Sequence, residues 1–600
     1  MCGIAGIINY KDKKINVDIL DKMLQSIAHR GPDNHGKYIY KNTGFVHSRL
    51  SVIDPSDKAN QPFTSDDGNF VIIYNGTVYN FKVIKKELVK KGYKFSTRSD
   101  TEVVLKSYIE WGAECLNKFN GIFAFALLDK KNNKIFFARD RYGAKPLYYY
   151  KKDHLFIFAS ELKVFKQHNE FKKEIDLFAL KEYFSFQNVF SDRTLYKDVR
   201  LMPSGSWGKL NIKDGNWQIK RYWDFDFSEK LDIDYDQAVK ELQGLIENAV
   251  NKRLVSDVPL GSYLSGGMDS SSLVSIAGES IADMPTFTGG FYMEGVKGRE
   301  AEFDEREKAE YTANYFNLPN YQVIMNSKTM PNILCELVYY NDDLRVGQCW
   351  QNYTVAHLAS RFVKVVLCGA GGDELFGGYP WRYKIAEQSK NLDEFNDNYF
   401  NYWQRMVPED QMKEFFAPEI YNKIKDYELK RPFNNIFSNY EGKYDNFYDR
   451  IFYFELKTFL QGLLLVEDKI SMAHGLETRA PFLDNNLVDF IIKLPFHHKI
   501  DKKGAYKGKK ILKDALKGII PERVLNYKKQ GFSPPDENWY RNETSDYIKK
   551  ELLNSNKNLR KYVKEEFIET IYNNHVNENQ NNRLLIWSLL SFKNWLKEFN

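Results

Sequence analysis

Cysteine is scarce in this chain. Five occur in 600 residues (Cys2, Cys115, Cys335, Cys349 and Cys368), odd in number and widely scattered. They form no CxxC pair and no disulfide framework, which excludes a stapled secreted module and a zinc ribbon and points to a reducing, cytoplasmic compartment. Long apolar runs are missing too: no stretch of about 18 apolar residues occurs, so no membrane span is expected. The opening MCGIAGIINY lacks the charged segment and apolar stretch of a secretory leader. Charge of one sign is also lacking. Lys and Arg number 86 against 80 Asp and Glu, too even for binding nucleic acid through a basic tail, although a local basic cleft remains open. No internal repeat occurs. What remains is 43% hydrophobic and 15% aromatic residues with mean hydropathy −0.54, a soluble globular composition. At roughly 100–200 residues per domain, this length predicts two or more domains.

The first 165 residues alternate short β-type runs (44–53, 69–74, 121–128, 134–139) with helical patterns at 81–91 and 101–111. That alternation predicts a layered sheet domain covered by helices. Turn-rich stretches around Met202-Pro-Ser-Gly-Ser206 and Asp214-Gly-Asn216 predict a first domain over 1–205 and a linker over 206–235. From 236 to 545 a β-loop-α rhythm predicts a parallel sheet with helices on both faces. Its pieces are a helix at 235–252, strands ending at Leu264, at 286–291 and at 363–367, and a helix at 452–466. Residues 546–600 read as a helical extension, because Phe, Ile, Leu and Trp recur there at helical spacing. The fold class is α/β multidomain.

Cys2 directly follows the initiator Met. Removing Met1 would leave a residue bearing both a thiol and a free α-amine, whose ordinary pKa near 7.7–8.0 suits it to act as a base. Its context adds Cys2-Gly-Ile-Ala-Gly6, His29-Arg-Gly-Pro-Asp33, His47-Ser-Arg-Leu-Ser-Val-Ile-Asp54, Asn75-Gly76, Ser99-Asp-Thr-Glu102 and the run Ala138 to Pro146. Together these resemble the N-terminal-nucleophile glutamine amidotransferase domain, of αββα layering. The resemblance implies glutamine hydrolysis through a thioester at Cys2. It also implies an oxyanion hole from Asn75 and the Gly76 N–H, with glutamine held by Arg49, Val52 and Asp100. Singly, Asn75-Gly76 could be a hairpin turn, Asp100 a helix cap and Arg49 a surface ion-pair partner. The family usually carries an acid after the Asn-Gly pair, also on the substrate ammonium; here it is Thr77.

A second constellation follows an apolar strand: Ser265-Gly-Gly-Met-Asp-Ser270, then a helix. Glycines allow a tight turn, and backbone amides at a helix N-terminus attract an anion. The string resembles the pyrophosphate loop of ATP pyrophosphatases, and no Gly-x4-Gly-Lys-Ser/Thr string suggests γ-phosphate transfer instead. A second loop, Cys368-Gly-Ala-Gly-Gly-Asp373, the run Glu467 to Asp484, and Lys528-Lys-Gln-Gly-Phe-Ser533 complete the match. The resemblance implies ATP bound at Tyr263, Ser265, Gly266, Gly267, Asp269, Ser270, Gly289, Cys368 and Gly369. It further implies Mg²⁺ on Asp269 and Asp373, and Lys529 neutralising the α-phosphate. Outside the family context, Lys529 could be a solvated lysine, and Glu467, Asp468 and Lys469 an exposed charged turn.

Both halves, in this order over residues 2–535, are similar to the glutamine-hydrolysing asparagine synthetase family. The implied partners are glutamine, ATP and an acceptor carboxylate, aspartate first, and the family expectation is a homodimer. The Arg-Ala-Ser-Thr string of the aspartate site is absent from residues 341–352, where Arg345 is the candidate clamp. The acid usual between the first two glycines of the second loop is Ala370. Alternative readings are the same chemistry on another carboxylate, such as a uronic-acid sugar, and an inactive scaffold paralogue.

Overall fold

The computed structural model describes residues 1–10, 14–442, 446–502, 506–528, 530–554 and 557–599. Its N-terminal part is built on two antiparallel sheets. One runs, in spatial order, Val199–Leu201, Tyr148–Lys152, Leu155–Ala159, Gly3–Asn9, Thr43–Arg49, Asn34–Tyr40. The other runs Trp217–Arg221, Ser206–Asn211, Lys134–Arg139, Gly121–Asp129, Phe70–Val78, Phe63–Thr64. Alternating side chains of Ile4, Ile8, Phe45, Ile73, Ala126, Phe137 and Phe158 form the dry layer between the sheets. Helix Val17–Ser26 covers the first sheet, while Phe81–Lys90 and Asp100–Trp111 cover the second. This is the expected αββα layering.

The stretch 206–235 departs from its expected role as a linker. Ser206–Asn211 pairs with Trp217–Arg221 on one side and with Lys134–Arg139 on the other, so Asp214-Gly-Asn216 is a hairpin turn between two sheet strands. Trp217 explains this, since its ring packs against Phe137, Tyr149 and Phe156. The boundary at 205 is blurred from the other side as well. Helix Leu177–Phe186 sends Phe184 against Phe415, Phe416 and Phe592 of the C-terminal helical part.

The second half carries a five-stranded parallel sheet ordered Asn320–Met325, Thr286–Phe291, Leu260–Tyr263, Val365–Leu367, Glu477–Arg479. Successive strands extend first to one side of Leu260–Tyr263 and later to the other. That order makes the gap between Leu260–Tyr263 and Val365–Leu367 a topological switch point, where the carboxyl ends of strands open a ligand crevice. The loops beginning at Ser265 and Cys368 both emerge there. Residues 452–466, expected as one helix, fall across two, Phe447–Lys457 and Phe459–Met472, with a break at Thr458 (φ −119°, ψ −65°). No helix among the described residues is long and apolar enough to cross a membrane.

Candidate active site

Cys2 sits at the start of a strand buried throughout, Gly3–Asn9. Its backbone N–H donates to Asn75 Oδ1 at 3.0 Å. Asn75 lies inside the strand Phe70–Val78, not in a turn, and its Nδ2 is buried with no hydrogen-bond partner among the described residues. A donor left unpaired in a dry pocket is costly unless something fills it, and a developing oxyanion would. Gly76 holds φ at +155°, and a Cβ there would lie 2.3 Å from Ile122 O, so only glycine fits beside the neighbouring strand.

Cys2, Arg49, Val52, Gly76 and Asp100 line one cavity of about 30 Å³, together with Met1, Thr77 and Glu477. Arg49 donates to Ser56 O (3.0 Å), Asn60 Oδ1 (2.7 Å) and Asp54 O (2.5 Å), all uncharged acceptors. Its positive charge therefore remains available to a carboxylate. Asp100 opens helix Asp100–Trp111, but Ser99 makes the cap bond, to Thr101 N. The Asp100 carboxylate instead accepts from Tyr74 OH (2.9 Å) and Val78 N (3.1 Å). Burial pushes it up to about 6 against those two bonds. Burial likewise pushes the Cys2 thiol up.

The other cavity, of about 540 Å³, occupies the switch point. Tyr263, Ser265, Asp269, Ser270, Gly289, Cys368, Gly369 and Asp373 all line it. Gly266 and Gly267 do not; they shape the turn. Gly266 has φ +75°, and a Cβ there would press on the Lys308 backbone at 2.6 Å. Helix Met268–Ser280 starts directly after them, its N-terminus at the cavity. Asp269 and Asp373 converge on Lys509 Nζ, at 2.5 and 2.6 Å. Two carboxylates sharing one cation fit Mg²⁺, which takes one or two carboxylates and completes its shell with phosphate and water. Among the described residues no cluster of three or more His, Cys, Asp or Glu forms an all-protein cage. Lys529 lies outside the described residues, while its neighbours Gln530, Gly531, Phe532 and Ser533 line the cavity.

Arg345 is not an acceptor clamp. Its guanidinium pairs with buried Asp343 (2.8 Å) and donates to Val189 O and Arg193 O, both at 3.0 Å, and it does not reach this cavity. Instead Arg405 and Gln187 line it. Arg405 Nη1 and both polar atoms of the Gln187 amide are buried without a partner among the described residues. Burial pulls the Arg405 guanidinium down to about 10, and the Arg382 cation adds to the effect. Sequence reading missed these residues because no local motif marks them.

Glu467, Asp468 and Lys469 are not an exposed turn. Asp468 and Lys469 are buried, and Glu467 lines the large cavity alongside Ala370. Its enclosure pushes the Glu467 carboxyl up to about 7, against hydrogen bonds from Asn352 and Thr478. Asp468 joins the two halves: it takes Arg30 Nη2 and Lys145 Nζ, each at 2.7 Å. Arg30 Nε in turn donates to Cys2 O at 3.1 Å. Removing one partner from such a buried pair costs about 3–5 kcal/mol, so this network fixes the docking of the halves. Cys2 and the large cavity are thus linked by Arg30 and one turn of helix Phe459–Met472.

Comparison with known proteins agrees with this geometry. The asparagine synthase family model matches residues 241–597, and a glutamine amidotransferase domain matches residues 1–223. Glutamine-hydrolyzing asparagine synthetase 1 of Bacillus subtilis (strain 168) is 33% identical, over 99% of this chain and 96% of its own length. Glutamine-hydrolyzing asparagine synthetase 3 of the same organism is 31% identical over 92% and 89%. The amidase chry2 of Gibberella zeae is 26% identical over 90% of each. The chain belongs to the glutamine-hydrolysing asparagine synthetase family.

Proposed function

We propose that this chain converts aspartate to asparagine, using ATP and taking nitrogen from glutamine. The carrying observation is the pairing of a Cys2–Asn75 pocket with a switch-point cavity joined to it through Arg30 and Asp468. In the first pocket the Cys2 thiolate attacks the glutamine amide carbon. Asn75 Nδ2 and the Gly76 N–H hold the oxyanion, ammonia leaves, and water hydrolyses the thioester to glutamate. The α-amine freed by removal of Met1 takes and returns the proton.

In the large cavity the side-chain carboxylate of aspartate attacks the α-phosphorus of ATP and expels pyrophosphate. Ser265, Ser270 and the amides opening helix Met268–Ser280 bind the departing anion. Asp269 and Asp373 would hold Mg²⁺, which neutralises phosphate charge there. Arg405 and Gln187 recognise the acceptor's carboxylate. Ammonia crosses the interface beside helix Phe459–Met472 and attacks the acyl carbon, and AMP departs. Glu467 removes the surplus proton, standing in for the acid that Ala370 replaces. Keeping this passage away from bulk water preserves ammonia in its neutral, nucleophilic form.

The test is a pyrophosphate-release screen with ATP and glutamine across acceptor acids. Release with aspartate, matched by AMP and asparagine, is the expected result. Release with a uronic acid and none with aspartate would overturn the acceptor.

A further inference from the structure

We infer that Glu477, contributed by the synthetase half, is a carboxylate ligand of the glutamine α-ammonium and replaces the charge missing at Thr77. The inference rests on reading the N-terminal half as a glutaminase. Bound glutamine places its carboxylate at Arg49 and its amide at Cys2, so its ammonium must meet negative charge at the remaining wall. Asp100 is there, and Thr77 brings none. Thr77 instead hands its hydroxyl to Glu477 Oε1 at 3.3 Å, and Glu477 lines the same cavity.

An α-ammonium already occupies this carboxylate. The Met1 amine lies 2.8 Å from Glu477 Oε2, and both groups are almost fully buried, at 1% and 2% exposure. Met1 therefore stands where an amino acid's ammonium would bind. Once Met1 is removed, Oε2 has no other donor among the described residues. The Cys2 nitrogen donates instead to Asn75 Oδ1. Arg479 Nε, 2.6 Å from Oε1, remains to keep Glu477 ionised. An unfilled, buried carboxylate oxygen is a strong site for one ammonium.

The placement has a structural consequence. Glu477–Arg479 pairs with Val365–Leu367, and Arg479 O accepts from Cys368 N at 2.8 Å, at the start of the ATP-side loop. The glutamine pocket is therefore complete only when the two halves are docked.

The experiment uses the full chain with Met1 removed, verified by intact mass. For E477Q the expected result is a glutamine KM raised at least about tenfold, with glutamine kcat and ammonia-supported synthesis close to those of the parent. Glutaramate, which lacks the α-ammonium, should lose nothing. T77E combined with E477Q should recover part of the glutamine KM, because it restores a carboxylate at that wall. An unchanged glutamine KM in E477Q would overturn the inference. So would a shifted pH profile of kcat at constant KM, which would give Glu477 to the Cys2 amine instead. Should E477Q also lose ammonia-supported turnover, E477D decides, since it keeps the ion pair with Arg479 but retracts the carboxylate. There a raised glutamine KM with parental ammonia-supported turnover supports the inference, and any other pattern overturns it. C2A is the separate control: glutamine use surviving C2A would remove the glutaminase reading itself.

Discussion

The two cavities differ in how they are assembled. The pocket beside Cys2, about 30 Å³ and lined in part by Met1, takes most of its wall from short local runs within 49–53, 74–77 and 99–101. The ATP-side cavity, about 540 Å³, gathers residues from 187 to 584. A small pocket can be written in a few short runs: the end of one strand, the interior of another and the start of a helix. A cavity that must hold a nucleotide, an acceptor and an incoming nucleophile needs elements far apart in the chain. Each site also departs from the family pattern once, at Thr77 and at Ala370. In both cases a glutamate from the single stretch 467–479 faces the gap.

That contrast can be broken most directly at Cys2. Cys2→Ala should lower glutamine-supported synthesis by about 10⁴-fold or more while ammonia-supported synthesis continues. Loss of both activities would mean the pockets are not chemically separate. Glu467→Gln is the reciprocal case and should lower both activities by about 10²–10⁴-fold. The pH dependence gives its sign. A base works only when ionised, so with Glu467 near 7 turnover at constant free ammonia should rise through pH 7 and level above it. The variant should lose that limb, and an unchanged profile would place the base elsewhere. Asn75→Ala should cost about 10²–10³-fold in glutamine hydrolysis alone, the usual worth of one oxyanion donor. Parental glutamine turnover in that variant would remove Asn75 from the hole.

The same contrast explains what the sequence made legible. Short apolar runs of strong β-formers, buried on both faces, were readable, as in Lys134–Arg139 and Thr286–Phe291, whose bounds match expectation. The residues lining the pocket beside Cys2 lie in short strings, so Arg49 and Asp100, which the structure brings together there, could be picked out by pattern. Glu477 could not be, because its position depends on a parallel strand pairing that brings residue 477 beside residue 77. Lys509 was missed for a similar reason. It sits in a lysine-rich run that resembles solvated surface, and only the fold places its ammonium between Asp269 and Asp373. The linker expectation failed because hairpin turns and interdomain turns use the same residues. Only Trp217, packed between the sheets' aromatic rings, distinguishes them.

The smallest expected effect sharpens the comparison at the acceptor. Arg405 and Gln187 lie far apart in the sequence and offer polar atoms that nothing among the described residues satisfies. A guanidinium kept buried without a carboxylate, at a cost visible in its lowered pKa, suits an anion that arrives with substrate. Arg405→Gln removes the charge but keeps a donor. Hydrogen bonds to charged groups are worth about 1.5–3 kcal/mol, so the acceptor KM should rise about ten- to a hundredfold. The ATP KM and glutaminase turnover should stay near parental values, because Arg405 lies outside the Ser265–Ser270 loop and does not line the Cys2 pocket. A raised ATP KM with an unchanged acceptor KM would move Arg405 to the nucleotide, leaving Gln187 as the acceptor's remaining contact.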